Sequence, residues 1–162
     1  MNTDLLCKQF LSTPIGTLAI VANDHSLLQV GFVDKAESSV PANAITQQAF
    51  DQLQAYFAGK QITFDLPLGA QGTLFQHQVW QALQGIRYGN TCSYQDIAHR
   101  LNNPKAVRAV GAANARNPLA IVVPCHRVIG ANGALTGYAG GLSRKAWLLN
   151  HETPSRTFDF SN

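Results

Sequence analysis

The chain has 162 residues, 46% of them apolar and only 13% charged, with a net charge of +3. That composition supports a packed core in one compact domain or two small ones and argues against long disordered tails. No apolar run approaches the ~20 residues a membrane-spanning helix needs, and "MNTDLLCKQF" (1–10) lacks the basic start and apolar stretch of a secretory signal.

The three cysteines, Cys7, Cys92 and Cys125, are odd in number and widely spaced. They make no disulfide framework and point to a reducing, cytoplasmic compartment. No Cys-x-x-Cys or His-x-x-x-His pair appears, so no metal site is expected. Charge is divided unevenly. Residues 1–72 carry three Lys/Arg against six Asp/Glu, and residues 73–162 carry nine against three. A basic C-terminal half suits a polyanionic partner, or is simply a solvated basic face.

In chain order, "CKQFLSTPIGTLAIVANDHSLLQVGFVDK" (7–35) reads as short strands broken by the turns "STPIG" and "ANDHS". "AITQQAFDQLQAYFAGK" (44–60) reads as a helix with Ala49, Leu53, Tyr56 and Phe57 on one face, ended by a left-handed Gly59. "QITFDL" (61–66) is a further candidate strand. "PLGAQGT" (67–73) lies where the charge changes sign and divides residues 1–72 from residues 73–162.

In the second part, "TLFQHQVWQALQG" (73–85) predicts a helix with a Thr73–Gln76 capping box and an end at Gly85. "SYQDIAHRL" (93–101) repeats that grammar from Ser93 and Asp96. Asn103 as cap and Pro104 as first residue predict a helix over 104–115. Two helices joined by so short a turn resemble a helix-turn-helix. "LAIVV" (119–123) reads as a short buried strand, and "GLSRKAWLLNHE" (141–152) as a last helix capped by Ser143.

On the 104–115 helix, Val107, Val110 and Asn114 share the side expected to face the core. Ala106, Ala109, Ala112 and Ala113 fall opposite, with Arg108 at their edge. Alanine reaches no base edge, so this face would read no sequence in a major groove. It would permit close approach in a minor groove, or packing against a neighbouring helix.

After that helix, "PCHRV" (124–128) sets Cys125 beside His126. A thiol becomes a strong nucleophile once a base takes its proton, and the base commonly needs a carboxylate to orient it. Of Asp96, Glu152 and Asp159, the acidic residues of this half, Glu152 is the natural orienting group. Pro124 suggests a bend that would allow a direct or water-bridged contact between thiol and imidazole. Taken alone, the pair also fits a buried cysteine beside a structural histidine.

Together, "SYQDIA" (93–98), "NPKAVRAVGAANARNP" (103–118), "VPCHRVIGANG" (123–133) and "TGYAGGLSRKAWLLNHE" (136–152) resemble, in order and spacing, the O6-alkylguanine-DNA alkyltransferases. These are the methylated-DNA–protein-cysteine methyltransferases, here of the bacterial single-function type. Residues 1–72 resemble that family only loosely. The resemblance implies a small α/β N-terminal domain, then a mostly helical, winged-helix-like C-terminal domain with the helix-turn-helix. It implies stoichiometric repair, in which an alkyl group passes irreversibly from O6-alkylguanine in double-stranded DNA to Cys125. O4-methylthymine is a second candidate lesion.

Carried over position by position, His126 would act through a water as base, Glu152 would orient it, and Asn117 would brace the turn before the active-site strand. Arg108 would fill the gap left by a nucleotide flipped from the minor groove. Ala106, Ala109, Ala113 and Arg116 would line the DNA. Tyr94 would help rotate the backbone and donate to a guanine ring nitrogen. Val128, Tyr138, the Ala139 amide and Lys145 would shape or support the base pocket. No cofactor, metal or membrane is implied, and the protein is expected to be a monomer. The rival readings are a cysteine hydrolase, a non-enzymatic lesion sensor, and a DNA-binding module with an incidental thiol.

Overall fold

Alternating apolar positions and two polar turns build the first part of the chain. The computed structural model describes residues 5–37, 40–60 and 63–154. Strands β1 (Cys7–Thr13), β2 (Gly16–Ala22) and β3 (Leu27–Val33) form an antiparallel sheet in that order. The β1–β2 turn is closed by the Thr13 hydroxyl, which donates to the Gly16 carbonyl at 2.6 Å. The β2–β3 turn is closed by the Asn23 side chain, which accepts from the Ser26 amide at 2.7 Å, as Asx turns do.

Helix α1 (Ala44–Phe57) packs on this sheet through Ala49, Leu53 and Tyr56. Asn43 caps it reciprocally with Thr46. Gly59, at φ +75°, ends it in the left-handed region that favours glycine. The candidate strand at 61–66 is not formed: residues 63–66 are irregular, and 61–62 lie outside the described residues. The sheet gains instead one isolated parallel bridge, Leu27 to Leu68.

The chain divides into compact units at Met1–Gln71 and Gly72–Asn162. In the second unit, α2 (Leu74–Gln84) begins in the reciprocal Thr73–Gln76 cap and α3 (Tyr94–Arg100) in the reciprocal Ser93–Asp96 cap. Asn102, at φ +55°, turns the chain out of α3. Helix α4 (Val107–Ala115) packs against both α2 and α3. It starts three residues later than the Asn103–Pro104 signal predicts. Residues 104–105 form a turn, with the Ala106 amide donating to the Asn103 carbonyl, and Ala106 stands at the N-cap without a side-chain cap.

The two-residue strands β4 (Cys92–Ser93) and β5 (Val128–Ile129) pair in parallel. Helix α5 (Leu142–Glu152) ends the described part. Its N-cap is Gly141, at φ +96°, and not Ser143, because the chain enters through a turn that only glycine adopts without strain.

Residues 119–123 are not a strand. They form consecutive tight turns: the Val122 amide donates to Ala120, Val123 to Leu119 and Cys125 to Val123. Ile121 sits at φ +72°, an unusual conformation for a β-branched residue. An apolar run signals burial, and a buried turn meets that signal as well as a strand does. The turns lead into a single 3-10 turn, Cys125–Arg127.

Trp80 and Leu83 of α2 lie in this unit's core, while Leu74 of the same helix is 77% exposed. Leu83→Ala is therefore expected to lower stability by about 2–5 kcal/mol and Leu74→Ala by less than about 0.5 kcal/mol. Urea unfolding of the full chain measures both.

Candidate active site

The 3-10 turn places three consecutive side chains inside the second unit. Cys125, His126 and Arg127 are all buried. The turn is held on either side by backbone. Behind it, β5 is paired to β4. Ahead of it, Asn117 donates from Nδ2 to the Val123 carbonyl at 2.8 Å and accepts the Leu119 amide at Oδ1, 3.0 Å. Asn117 thus pins the turn that carries Ile121, where a brace before a strand was expected. From α4, Asn114 adds a longer bond, Nδ2 to the Cys125 carbonyl at 3.3 Å.

Across from the turn, the last residue of α5 supplies a carboxylate. His126 Nε2 lies 2.7 Å from Glu152 Oε2. Arg127 donates to the same carboxylate from Nε (2.7 Å to Oε1) and Nη2 (3.1 Å to Oε2), and from Nη1 to the Ile86 carbonyl at 2.6 Å. Sequence reading passed over Arg127. Its signal was a charged residue within the run "IVVPCHRVIG": a buried cation requires a partner.

The charges follow from this packing. Burial would raise the Glu152 carboxyl, but the bonds from His126 and Arg127 hold it well below the ordinary carboxylate range. Burial depresses His126; Glu152 pulls it back up, and the charges of Arg127 and Lys145 press it down. The pair is therefore a neutral imidazole against a carboxylate whose charge Arg127 balances. A carboxylate only accepts, so Nε2 carries the proton and Nδ1 presents its lone pair. His126 Nδ1 is buried and has no partner among the described residues, which places no direct bond between it and the Cys125 thiol. Burial raises the thiol, offset in part by Asn117 and by the charge of Lys145. At rest the Cys125 thiol is protonated.

Residues 136–141 face this site from the N-terminal side of α5. Lys145 is fully buried and donates from Nζ to the Val128 and Thr136 carbonyls, each at 2.6 Å. Burial lowers it to about 8. The Tyr94 hydroxyl donates to the same Thr136 carbonyl at 3.1 Å. The Tyr138 hydroxyl is buried without a partner among the described residues, and burial raises it well above the ordinary phenol value. Val128 is buried and Ala139 exposed.

The alanine face of α4 is narrower than expected. Arg108, Ala109, Ala112 and Arg116 are exposed, but Ala113 is 3% exposed and its carbonyl accepts the Trp80 indole N–H at 2.9 Å. Ala113 belongs to the core because Val110, Ala113 and Asn114 make one stripe. Ala106 stands half-buried ahead of the helix. The described residues contain no cluster of three or more His, Cys, Asp or Glu that could hold a metal ion.

A buried cysteine beside a neutral histidine, itself fixed by a carboxylate, defines a site for thiol-based group transfer or hydrolysis. Comparison with known proteins separates the two. Residues 74–154 match the 6-O-methylguanine DNA methyltransferase DNA-binding domain, and residues 6–70 match the ribonuclease-like domain of the same family. A methylated-DNA–protein-cysteine methyltransferase of Methanosarcina acetivorans is 49% identical over 146 residues, covering 86% of this chain and 94% of the relative. The constitutive enzyme of that name from Bacillus subtilis is 51% identical, covering 86% and 91%. The crystal structure of the Mycobacterium tuberculosis O6-methylguanine methyltransferase superposes with a TM-score of 0.84 at 43% identity, covering 95% of this chain and 96% of that one. The same organism's protein in complex with DNA superposes with a TM-score of 0.83 at 45% identity, covering 93% and 94%. This chain belongs to the 6-O-methylguanine DNA methyltransferase family.

Asn117→Ala would leave the Val123 carbonyl and Leu119 amide without their side-chain partner. The expected loss of stability is about 1–3 kcal/mol, read by urea unfolding. The same variant removes a bond that favours the thiolate, so the folded protein should be alkylated at Cys125 only at higher pH than the parent.

Proposed function

We propose that this protein repairs DNA by moving the methyl or other alkyl group of O6-alkylguanine onto Cys125, once per molecule. The observation that carries the reading is the buried His126 Nδ1, without a partner among the described residues and with its tautomer fixed by the 2.7 Å bond to Glu152, on the residue that directly follows a buried cysteine. His126 draws the thiol proton through a bridging water. The Cys125 Sγ–carbon bond forms as the O6–carbon bond breaks, and the electron pair leaves with the guanine, which regains a proton. The product thioether has no carbonyl for water to attack, so the cysteine is not regenerated. The reaction needs no cofactor. A cysteine hydrolase would turn over repeatedly, and a lesion sensor would leave the thiol unmodified.

Tyr94 supplies the hydrogen bond to the departing base in this reading. Its proton can leave the Thr136 carbonyl without stranding it, because Lys145 keeps that carbonyl bonded. Tyr138 and the Ala139 amide complete the pocket, with Val128 at its edge.

The DNA face is a helix-turn-helix made of α3 and α4, docked in the minor groove. Arg108, Ala109, Ala112 and Arg116 are the exposed residues that suit it. Small side chains permit close approach and read little sequence, as repair at any site requires. Chemistry inside the base stack requires the lesion to flip out, and Arg108 would occupy the gap. The three free thiols fit a reducing cytoplasm. The protein works as a monomer of two domains, with 1–72 a structural support and 73–162 the DNA-binding and acceptor part.

The deciding experiment is incubation with duplex DNA carrying O6-methylguanine, followed by peptide mass analysis. One methyl on the Cys125 peptide is expected, and none in Cys125→Ser with duplex binding retained; methylation elsewhere overturns the reading. Arg108→Ala should slow duplex repair more than reaction with free O6-benzylguanine, and equal losses would remove its flipping role. The pH profile has two limbs. Transfer should fall on the acid side as His126 gains its proton, with a midpoint below the ordinary histidine value near ~6.5. It should fall again above about 8 as Lys145 loses the charge that favours the thiolate. Single-turnover rates across that range measure both limbs.

A further inference from the structure

No step of the proposed chemistry passes through Arg127, yet its guanidinium makes three hydrogen bonds in the site. Its Nε and Nη2 grip both oxygens of Glu152, and Nη1 anchors that grip to the Ile86 carbonyl beyond the end of α2. The Tyr88 ring lies 5.7 Å from Cζ. A carboxylate held by one imidazole alone could rotate about its own axis. It could also draw a proton so strongly that the imidazole rests as its cation. A two-pronged guanidinium stops the rotation and shares the negative charge.

We propose that Arg127 is a positioning residue for alkyl transfer: its fork on Glu152 holds His126 as the neutral Nε2–H tautomer, with the Nδ1 lone pair turned toward the thiol proton. The inference rests on the transfer reading for its consequence but on geometry alone for its content. The charged and titratable groups that act on the His126–Glu152 pair include Arg127 from the 3-10 turn, Lys145 from α5, Tyr88 from the segment after α2, and Tyr138 from the loop before α5. Arg127 touches the carboxylate through both oxygens.

Two measurements test it. Long-range proton–nitrogen correlation spectra of the full chain with labelled histidine read the His126 tautomer without any substrate. At neutral pH the Nε2–H form is expected; the Nδ1–H form or the imidazolium overturns the proposal. Single-turnover methyl transfer is then compared in the parent, Arg127→Lys and Arg127→Met. Removing the cation should move the acid limb to higher pH, and should slow transfer at neutral pH by about tenfold or more. Lysine should keep the limb near its parental position while restoring only part of the rate. Duplex binding should be unchanged in both. A folded Arg127→Met with the parental limb and rate contradicts the proposal. If that variant does not fold, the tautomer spectrum and the lysine variant decide. Failure of the parent itself to accept a methyl group would count against the proposed function, leaving the tautomer measurement standing.

Discussion

The Glu152 carboxylate is a charge buried among apolar side chains, and the surrounding unit is arranged to tolerate it. Removing an ion of this kind from water costs several kcal/mol. Two neighbours in the 3-10 turn offset that cost. His126 and Arg127 follow Cys125 directly, so the same backbone that presents the thiol presents both partners of the acid. Arg127 extends the connection to the Ile86 carbonyl, and Glu152 belongs to α5. One carboxylate therefore ties together the end of α2, the 3-10 turn and the last helix. Breaking such a buried pair typically costs about 3–5 kcal/mol, so the proposed chemistry and the stability of this unit share their residues.

The same economy governs the surrounding backbone. Between α4 and Cys125 the chain reverses in a few residues, with Ile121 held in a left-handed conformation that isolated isoleucine avoids. Asn117 holds that reversal from inside, and the β4–β5 pair holds the far end. Lys145 ties the start of the 136–141 loop to β5 as Asn117 ties the turn: it bonds the buried Val128 carbonyl and shares the Thr136 carbonyl with Tyr94. Its burial lowers its pKa to about 8, and its charge in turn favours the Cys125 thiolate.

Elements with strong local signals were legible in the sequence. The Thr73–Gln76 and Ser93–Asp96 caps, the α1 stripe of Ala49, Leu53 and Tyr56, and the left-handed Gly59 stand where spacing placed them. Family membership was legible from the motifs of the second half. The misses have physical causes. Residues 119–123 carry an apolar signal that a buried turn produces as readily as a strand, and nothing in the sequence announces a positive φ at Ile121. The start of α4 and the cap of α5 were set by local turns, closed by the Ala106 and Gly141 amides, that outweighed Pro104 and Ser143. Ala113 was assigned to the exposed face because alanine fits either side of a helix; only its carbonyl, bonded to Trp80, reveals the core. Arg127 directly follows the Cys125–His126 pair that drew attention, and a cation in an apolar run should itself have prompted a search for its acid.

The account makes the cysteine both reagent and product, and the stoichiometry of transfer tests that most directly. Radiolabelled O6-methylguanine duplex in excess would be titrated with known amounts of active protein, and the label bound to protein and the repaired guanine counted together. The account predicts that both plateau at one methyl per chain and stay there on prolonged incubation. Continued release of repaired guanine beyond one equivalent, with no label retained on the protein, would contradict it.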